Sequence, residues 1–163
     1  MPLKHCTLPH DTHVFVRPLT PRDTDACDAL SAVSATPPLP KKDLYDYLRR
    51  DSPTSLGVFT CPPLPDPLMP HADIMLGYVI GDTDDGNGEG STLRIVGLWV
   101  LPEQETTGVA EVLLRGWCDR MRDGRVARKI VKEGEEDARR REWYRDAGFA
   151  VRGEKEMLVM DCY

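Results

Sequence analysis

The stretch LWVLPEQETTGVAEVLLRGW, Leu98 to Trp117, holds the residues of this chain best suited to binding chemistry. An apolar, strand-like run meets a polar turn, and the turn opens an amphipathic helix. Thr106, Thr107, Gly108, Val109 and Ala110 stand at that opening. The first turn of a helix leaves backbone N–H groups without partners, and the aligned peptide dipoles put about half a positive charge there. Small residues let an anion such as a pyrophosphate approach the backbone closely, and the two threonine hydroxyls are further donors. Glu103 and Glu105 oppose this reading. Glu105 donates nothing and repels phosphate, by about 1 kcal/mol or less if it faces solvent and by more if it turns inward. The competing reading is an ordinary helix start, where acidic side chains are favoured by the dipole.

Other reactive side chains are scattered. The five cysteines, Cys6, Cys27, Cys61, Cys118 and Cys162, are odd in number and form no CxxC pair. That pattern argues against a disulfide framework and a structural zinc site, and for free thiols in a reducing compartment. Cys118 lies inside a predicted helix, a poor setting for a nucleophile. The histidines, His5, His10, His13 and His71, fall in tails, strand starts and loops, so no metal site is expected. Asp73, at the start of a strand, is a weak candidate for a base. A net charge of −6 disfavours non-specific nucleic-acid binding, which needs a basic face. No apolar run approaches the ~20 residues of a membrane span, and the first residues, MPLKHCTLPHD, lack a secretory apolar core. A cytoplasmic protein, monomer or homodimer, is the expectation.

The elements that would position this loop follow from pattern. Residues 1–12 read as a flexible tail, and residues 13–163 as one domain. His13–Leu19 reads as a strand. Thr20, Pro21 and Asp23 suit the N-cap, first and third positions of a helix that runs to Val33. The prolines of Thr36–Pro40 break the chain, and Leu44, Tyr47 and Leu48 mark a second helix. Strands are expected over 56–60, 73–82 and 92–101. Between them lie a proline-rich loop (62–71) and an acidic hairpin loop (83–91), the latter a solvated feature. A helix over 109–123, a strand over 125–134, a charged helix ending at Gly148 and a last strand or hairpin complete the chain. This order implies an α/β protein with a mixed sheet and helices on both faces.

That order, with three local strings, resembles the GCN5-related N-acetyltransferase (GNAT) superfamily over nearly the whole chain. The strings are GLWVLPEQETTGVAEVLL, REWYRDAGF and VRPLTPRDTDA. The first matches the family's Arg/Gln-x-x-Gly-x-Gly/Ala loop at Gly108 and Ala110, with Glu105 where a basic or amide residue stands. The second matches a Tyr-x-x-x-Gly-Phe segment at Tyr144, Gly148 and Phe149. PPLPKKDLYDYLRRDSPTSLGVF looks like the arylalkylamine and polyamine branch.

The resemblance implies a mostly antiparallel twisted sheet with a splayed parallel strand pair. It implies acetyl-CoA as co-substrate, with its pyrophosphate on the loop from Glu105 to Ala110 and its thioester near Leu98, Trp99 and Val100. It implies Tyr144 as general acid for the leaving thiolate, and Pro38 and Leu39 beside a small amine. That branch carries histidines on the strand before the loop, where this chain has Arg94 and Val96, so the general base has no assigned residue. The implied reaction is direct attack of the amine, with no acyl-enzyme. The alternatives are a degenerate GNAT domain that binds without catalysis, and a protein or peptide N-acetyltransferase. On sequence alone, Glu105→Arg is expected to tighten acetyl-CoA binding in calorimetry.

Overall fold

The computed structural model describes residues 4–8, 13–50, 54–60, 73–84, 92–123, 129–132, 137–152 and 157–161. Eight strands form one sheet among these residues: β1 (Lys4–Thr7), β2 (His13–Pro18), β3 (Ser55–Thr60), β4 (Met75–Asp84), β5 (Thr92–Val100), β6 (Lys129–Lys132), β7 (Ala150–Arg152) and β8 (Met157–Asp161). Their order is β1-β2-β3-β4-β5-β6-β8-β7. Every neighbouring pair is antiparallel except β5 with β6. The helices are α1 (Thr24–Val33), α2 (Lys41–Arg49), α3 (Val109–Asp123) and α4 (Ala138–Asp146). The mixed sheet with helices on both faces matches the expected architecture.

Two cores flank the sheet. Cys27 and Leu30 of α1 and Leu44 and Leu48 of α2 pack with Tyr78 and Trp99 on one face. Leu113, Trp117 and Met121 of α3 and Tyr144 of α4 pack with Leu93 and Leu98 on the other. The spacing of these residues within each helix is that of one buried stripe. Two tryptophans lie over glycines of the sheet. A Cβ at Gly81 would meet the Trp117 ring at 2.5 Å, and one at Gly97 would meet the Trp99 ring at 2.3 Å. The flat rings therefore occupy the space a side chain would need, and the Trp117 indole N–H donates to Thr54 C=O at 2.9 Å.

The beginning of the chain departs from expectation. Lys4–Thr7 pairs with β2, from Lys4 opposite Val16 to Thr7 opposite His13, in place of a tail. A four-residue strand is too short to declare itself by alternation, and it exists because β2 offers it an edge. The proline-rich loop at 62–71 and most of the acidic loop lie outside the described residues. No helix among the described residues is long and apolar enough to cross a membrane.

The entry into α1 follows the sequence pattern. Thr20 donates from its N–H (2.8 Å) and hydroxyl (3.0 Å) to the Asp23 carboxylate, across a 3-10 turn over Pro21–Asp23. Arg17 grips the same carboxylate with both terminal nitrogens, at 2.9 and 2.7 Å. Burial alone would raise the Asp23 pKa, but the hydrogen bonds from Arg17 and Thr20 outweigh it and hold the carboxyl below its usual value. A depressed folded pKa means stability that is present above the ordinary carboxylate range and lost as pH falls through it. Asp23→Asn should therefore cost about 1–2 kcal/mol at neutral pH. Denaturant titrations should show that gap from wild type closing as the pH drops below the carboxylate range.

Candidate active site

The site begins where β5 and β6 part. The two strands pair in parallel only through Thr92–Lys129, Leu93–Ile130 and Arg94–Val131. Among the described residues, β5 then runs on to Val100 with no strand paired along that edge. The parting coincides with an irregularity on the other edge of β5. There, β4 pairs Ile80 with Gly97 and Gly81 with Ile95, so Val96 is an extra, unmatched residue. Such a bulge bends and twists its strand, which turns β5 away from β6.

Main-chain groups along the freed edge can be assigned by alternation. Leu101 N–H donates to Leu76 C=O of β4 at 3.0 Å. Trp99 therefore shares the β4 side, and the N–H and C=O groups of Leu98 and Val100 face the open side. One of these is already used, since the Thr36 hydroxyl donates to Leu98 C=O at 2.8 Å. Thr36 lies in the α1–α2 connection, and the Trp99 indole N–H ties the same connection to β5 through Pro37 C=O at 3.1 Å. The sequence reading missed Thr36, because a threonine among prolines carries no signal of what it will reach 62 residues away.

Between these elements lies a cleft of ≈ 240 Å³. Thr36, Pro37 and Leu39 close one side, β5 from Val96 to Trp99 forms the floor, and Lys132 and Arg140 stand opposite. Of the two residues expected at an amine pocket, Leu39 lines this cleft. Pro38 is exposed and outside its lining. Trp99 is stacked on Tyr78, with ring centroids 4.7 Å apart. Burial pushes the Tyr78 hydroxyl and the Cys27 thiol far above their ordinary values, so both stay protonated and neither is a base or nucleophile. Cys118 is fully buried in α3. Among the described residues no group of three or more His, Cys, Asp or Glu is placed to hold a metal.

The loop ahead of α3 has its expected shape. Gly108 has φ 86°, a left-handed conformation that side chains resist, and its C=O accepts from Val112 N–H at 3.0 Å to open the helix. The N–H groups of Val109, Ala110 and Glu111 precede the first intrahelical bond and are the orphan donors of this end. The side chains of Val109 and Ala110 are buried in the core beneath. Thr107 is committed locally, its hydroxyl 2.9 Å from both Gln104 C=O and Gln104 Oε1, while Thr106 is exposed.

Glu105 has a partner. Its carboxylate lies 3.5 Å from Arg139 Nη1, in the first turn of α4. The pair ties the turn ahead of α3 to the start of α4, and it sets a guanidinium beside the acid that the sequence left unopposed. Tyr144, on the same helix, is 1% exposed, with its ring edge-on to Phe149 at 5.5 Å. It lies in the core under α3 and is not among the residues that line the cleft.

No protein-family model matches the chain, and no curated protein matches its sequence. Solved structures match its fold. A chain of the NatC complex bound to Gag peptide and CoA is 16% identical, with 92% of this chain and 99% of that chain covered and a TM-score of 0.74. The GNAT domain of S. lividans PAT is 18% identical, with 98% and 96% covered and a TM-score of 0.73. Arabidopsis thaliana NAA60 in complex with acetyl-CoA is 14% identical, with 91% and 99% covered and a TM-score of 0.72. At such identities the likeness is one of fold, and the chain has the GNAT acyl-CoA N-acyltransferase fold.

The Gly97–Trp99 contact is open to direct test. Gly97→Ala would press a methyl group into the indole, and such overpacking costs about 1–3 kcal/mol. A lower Tm and a changed near-ultraviolet circular dichroism band are expected. An unchanged band would show that the indole does not rest on Gly97.

Proposed function

We propose that this chain is an acetyl-CoA-dependent N-acetyltransferase, in which a primary amine attacks the thioester directly. The observation that carries this reading is the edge of β5 that no described strand pairs, leading along Leu98 and Val100 toward the N-terminal end of α3. An extended pantetheine can complete the broken ladder there, and an anion suits the orphan N–H groups of Val109, Ala110 and Glu111. Main-chain donors aimed at a carbonyl oxygen stabilise the charge that develops on it as the C–N bond forms. The C–S bond then breaks, the thiolate takes up a proton and the nitrogen loses one. Tyr144 is proposed as the proton donor to the leaving sulfur, from the domain spanning residues 13–163 with β1 added at its edge.

For the acceptor, the apolar wall of Leu39 and Trp99 suits a small arylalkylamine. A peptide or protein amine is the second reading. It is favoured by a further groove of ≈ 370 Å³ that shares Val96 and Lys132 with the cleft and leaves room behind the amine. The NatC structure was solved with a Gag peptide, which agrees in kind with this reading.

Calorimetry with acetyl-CoA, followed by a thiol-release assay over an amine panel, tests the proposal. No heat at millimolar coenzyme would remove it and leave a binding domain without this chemistry. Tyr144→Phe should lower kcat by about 10²-fold, the usual scale of acid catalysis, with the KM for acetyl-CoA little changed. Unaltered rates would strike Tyr144 from its role.

The Glu105–Arg139 pair yields a separate expectation. Arg139→Ala uncovers the Glu105 charge and should weaken CoA binding about fivefold, for roughly 1 kcal/mol of unscreened repulsion. Glu105→Gln should change it much less than that, since the charge removed is already countered.

A further inference from the structure

The second groove, next to the cleft, has a distinct charge pattern. Tyr47 of α2, Asp82 of β4, Arg94 and Val96 of β5 and Lys132 of β6 line it. Asp82 and Arg94 are direct cross-strand partners, a register in which an acid and a base would be expected to meet. They do not. Asp82 binds Arg50 of the α2 C-terminal end at 2.6 Å, and the Arg50 guanidinium lies over the Tyr47 ring at 4.7 Å. Arg94 is exposed and makes no ion pair with any described residue. The groove thus presents Arg94, while the carboxylate among its described lining residues, Asp82, is neutralised by Arg50. An arginine held this way on a rigid strand, beside a spent acid, is suited to a planar carboxylate.

Distance sets what that carboxylate can belong to. Arg94 and Leu98 lie four positions apart on β5, about 13 Å at strand rise. An amine at the Leu98 edge therefore has the Arg94 backbone about that far behind it, and the arginine side chain spans part of the gap. An extended chain advances about 3.3–3.6 Å per residue. A side-chain carboxylate at the second or third residue of a peptide covers the remainder, whereas the carboxylate of a simple amino acid sits next to its amine.

We infer that Arg94 is a specificity-determining residue of the acceptor groove, and that the acceptor is the α-amine of a chain with an acidic side chain at its second or third position. The inference rests on the acetyltransferase reading, and its test separates the two. Three peptides differing only in carrying Asp, Asn or Lys at both their second and third residues are compared as acceptors in the thiol-release assay, with free glutamate as a fourth arm. The Asp peptide should exceed the Lys peptide by at least about tenfold in kcat/KM, mostly through KM, and the advantage should shrink in high salt. Arg94→Glu should reverse the order, and Arg94→Gln should level it, with Tm confirming that both variants fold.

Equal use of the three peptides, or preference for Lys, overturns the inference. So does a preference that survives Arg94→Gln, and so does free glutamate outperforming the Asp peptide. Calorimetry of the peptides on the CoA-loaded protein gives an independent readout. Tighter binding of the Asp peptide without turnover removes the catalytic reading and upholds the groove. Equal affinities sink the groove whatever the catalysis.

Discussion

The parting of β5 from β6 is the constraint from which the site follows. A backbone N–H or C=O taken from water needs a partner, and an edge inside a sheet is an unfinished ladder. Three parallel pairs hold the strands together before Val96 bulges and β5 swings away. Everything nearby responds to the groups this exposes. Thr36 reaches across from the α1–α2 connection to satisfy Leu98 C=O, and the Trp99 indole N–H fixes the same connection at Pro37. Among the described residues no strand takes the place of β6 along Leu98 and Val100. An extended substrate can finish the hydrogen bonding there regardless of which side chains β5 carries.

Charge is handled locally in a chain that is acidic overall. Asp23 is met by Arg17, Asp82 by Arg50 and Glu105 by Arg139. Each pair joins different elements, so each acid is used to set an angle between them. The side effect is that Asp82 and Glu105, described acids near the groove and the α3 end, are committed, while Arg94 remains. Net charge is therefore a poor guide to this surface. The chain carries −6 in total, yet the groove on its α2 side holds an arginine, Arg94, that no described acid pairs with.

Much of the frame was legible in the sequence, because the signals were local. The apolar runs around Val79 and Leu98, the stripe from Val109 to Met121 and the Thr20–Asp23 pattern need only near neighbours to be interpreted. Gly108 was legible for the same reason, since a positive φ is a property of one residue. What escaped notice was set at long range. β1 exists only because β2 accepts it, the Val96 bulge only because β4 skips a residue, and Thr36 matters only because Leu98 lies within reach. Glu105 is the clearest case. On paper its charge faced an anion, and in the fold it faces a guanidinium from α4, 34 positions later in the chain. Arg94 stood in the sequence only as a residue in a histidine's place, because nothing in its neighbours foretold that Arg50 would take its cross-strand acid.

The short parallel seam also divides the molecule in two. β1 to β5 form a continuous antiparallel half, while β6, β8 and β7 form a second, smaller half joined to it, among the described residues, by three parallel pairs and by a shared core in which Ile130, Leu158 and Met160 pack with Leu93, Leu113 and Trp117. Amide hydrogens of the second half should exchange as one cooperative unit, ahead of those in the larger sheet, because among the described residues only the short β5–β6 ladder bonds its backbone to that sheet. A molecule lodged in the seam touches both halves and so acts as a staple. Its occupancy would be written into the exchange rates of β8, a strand it need never contact.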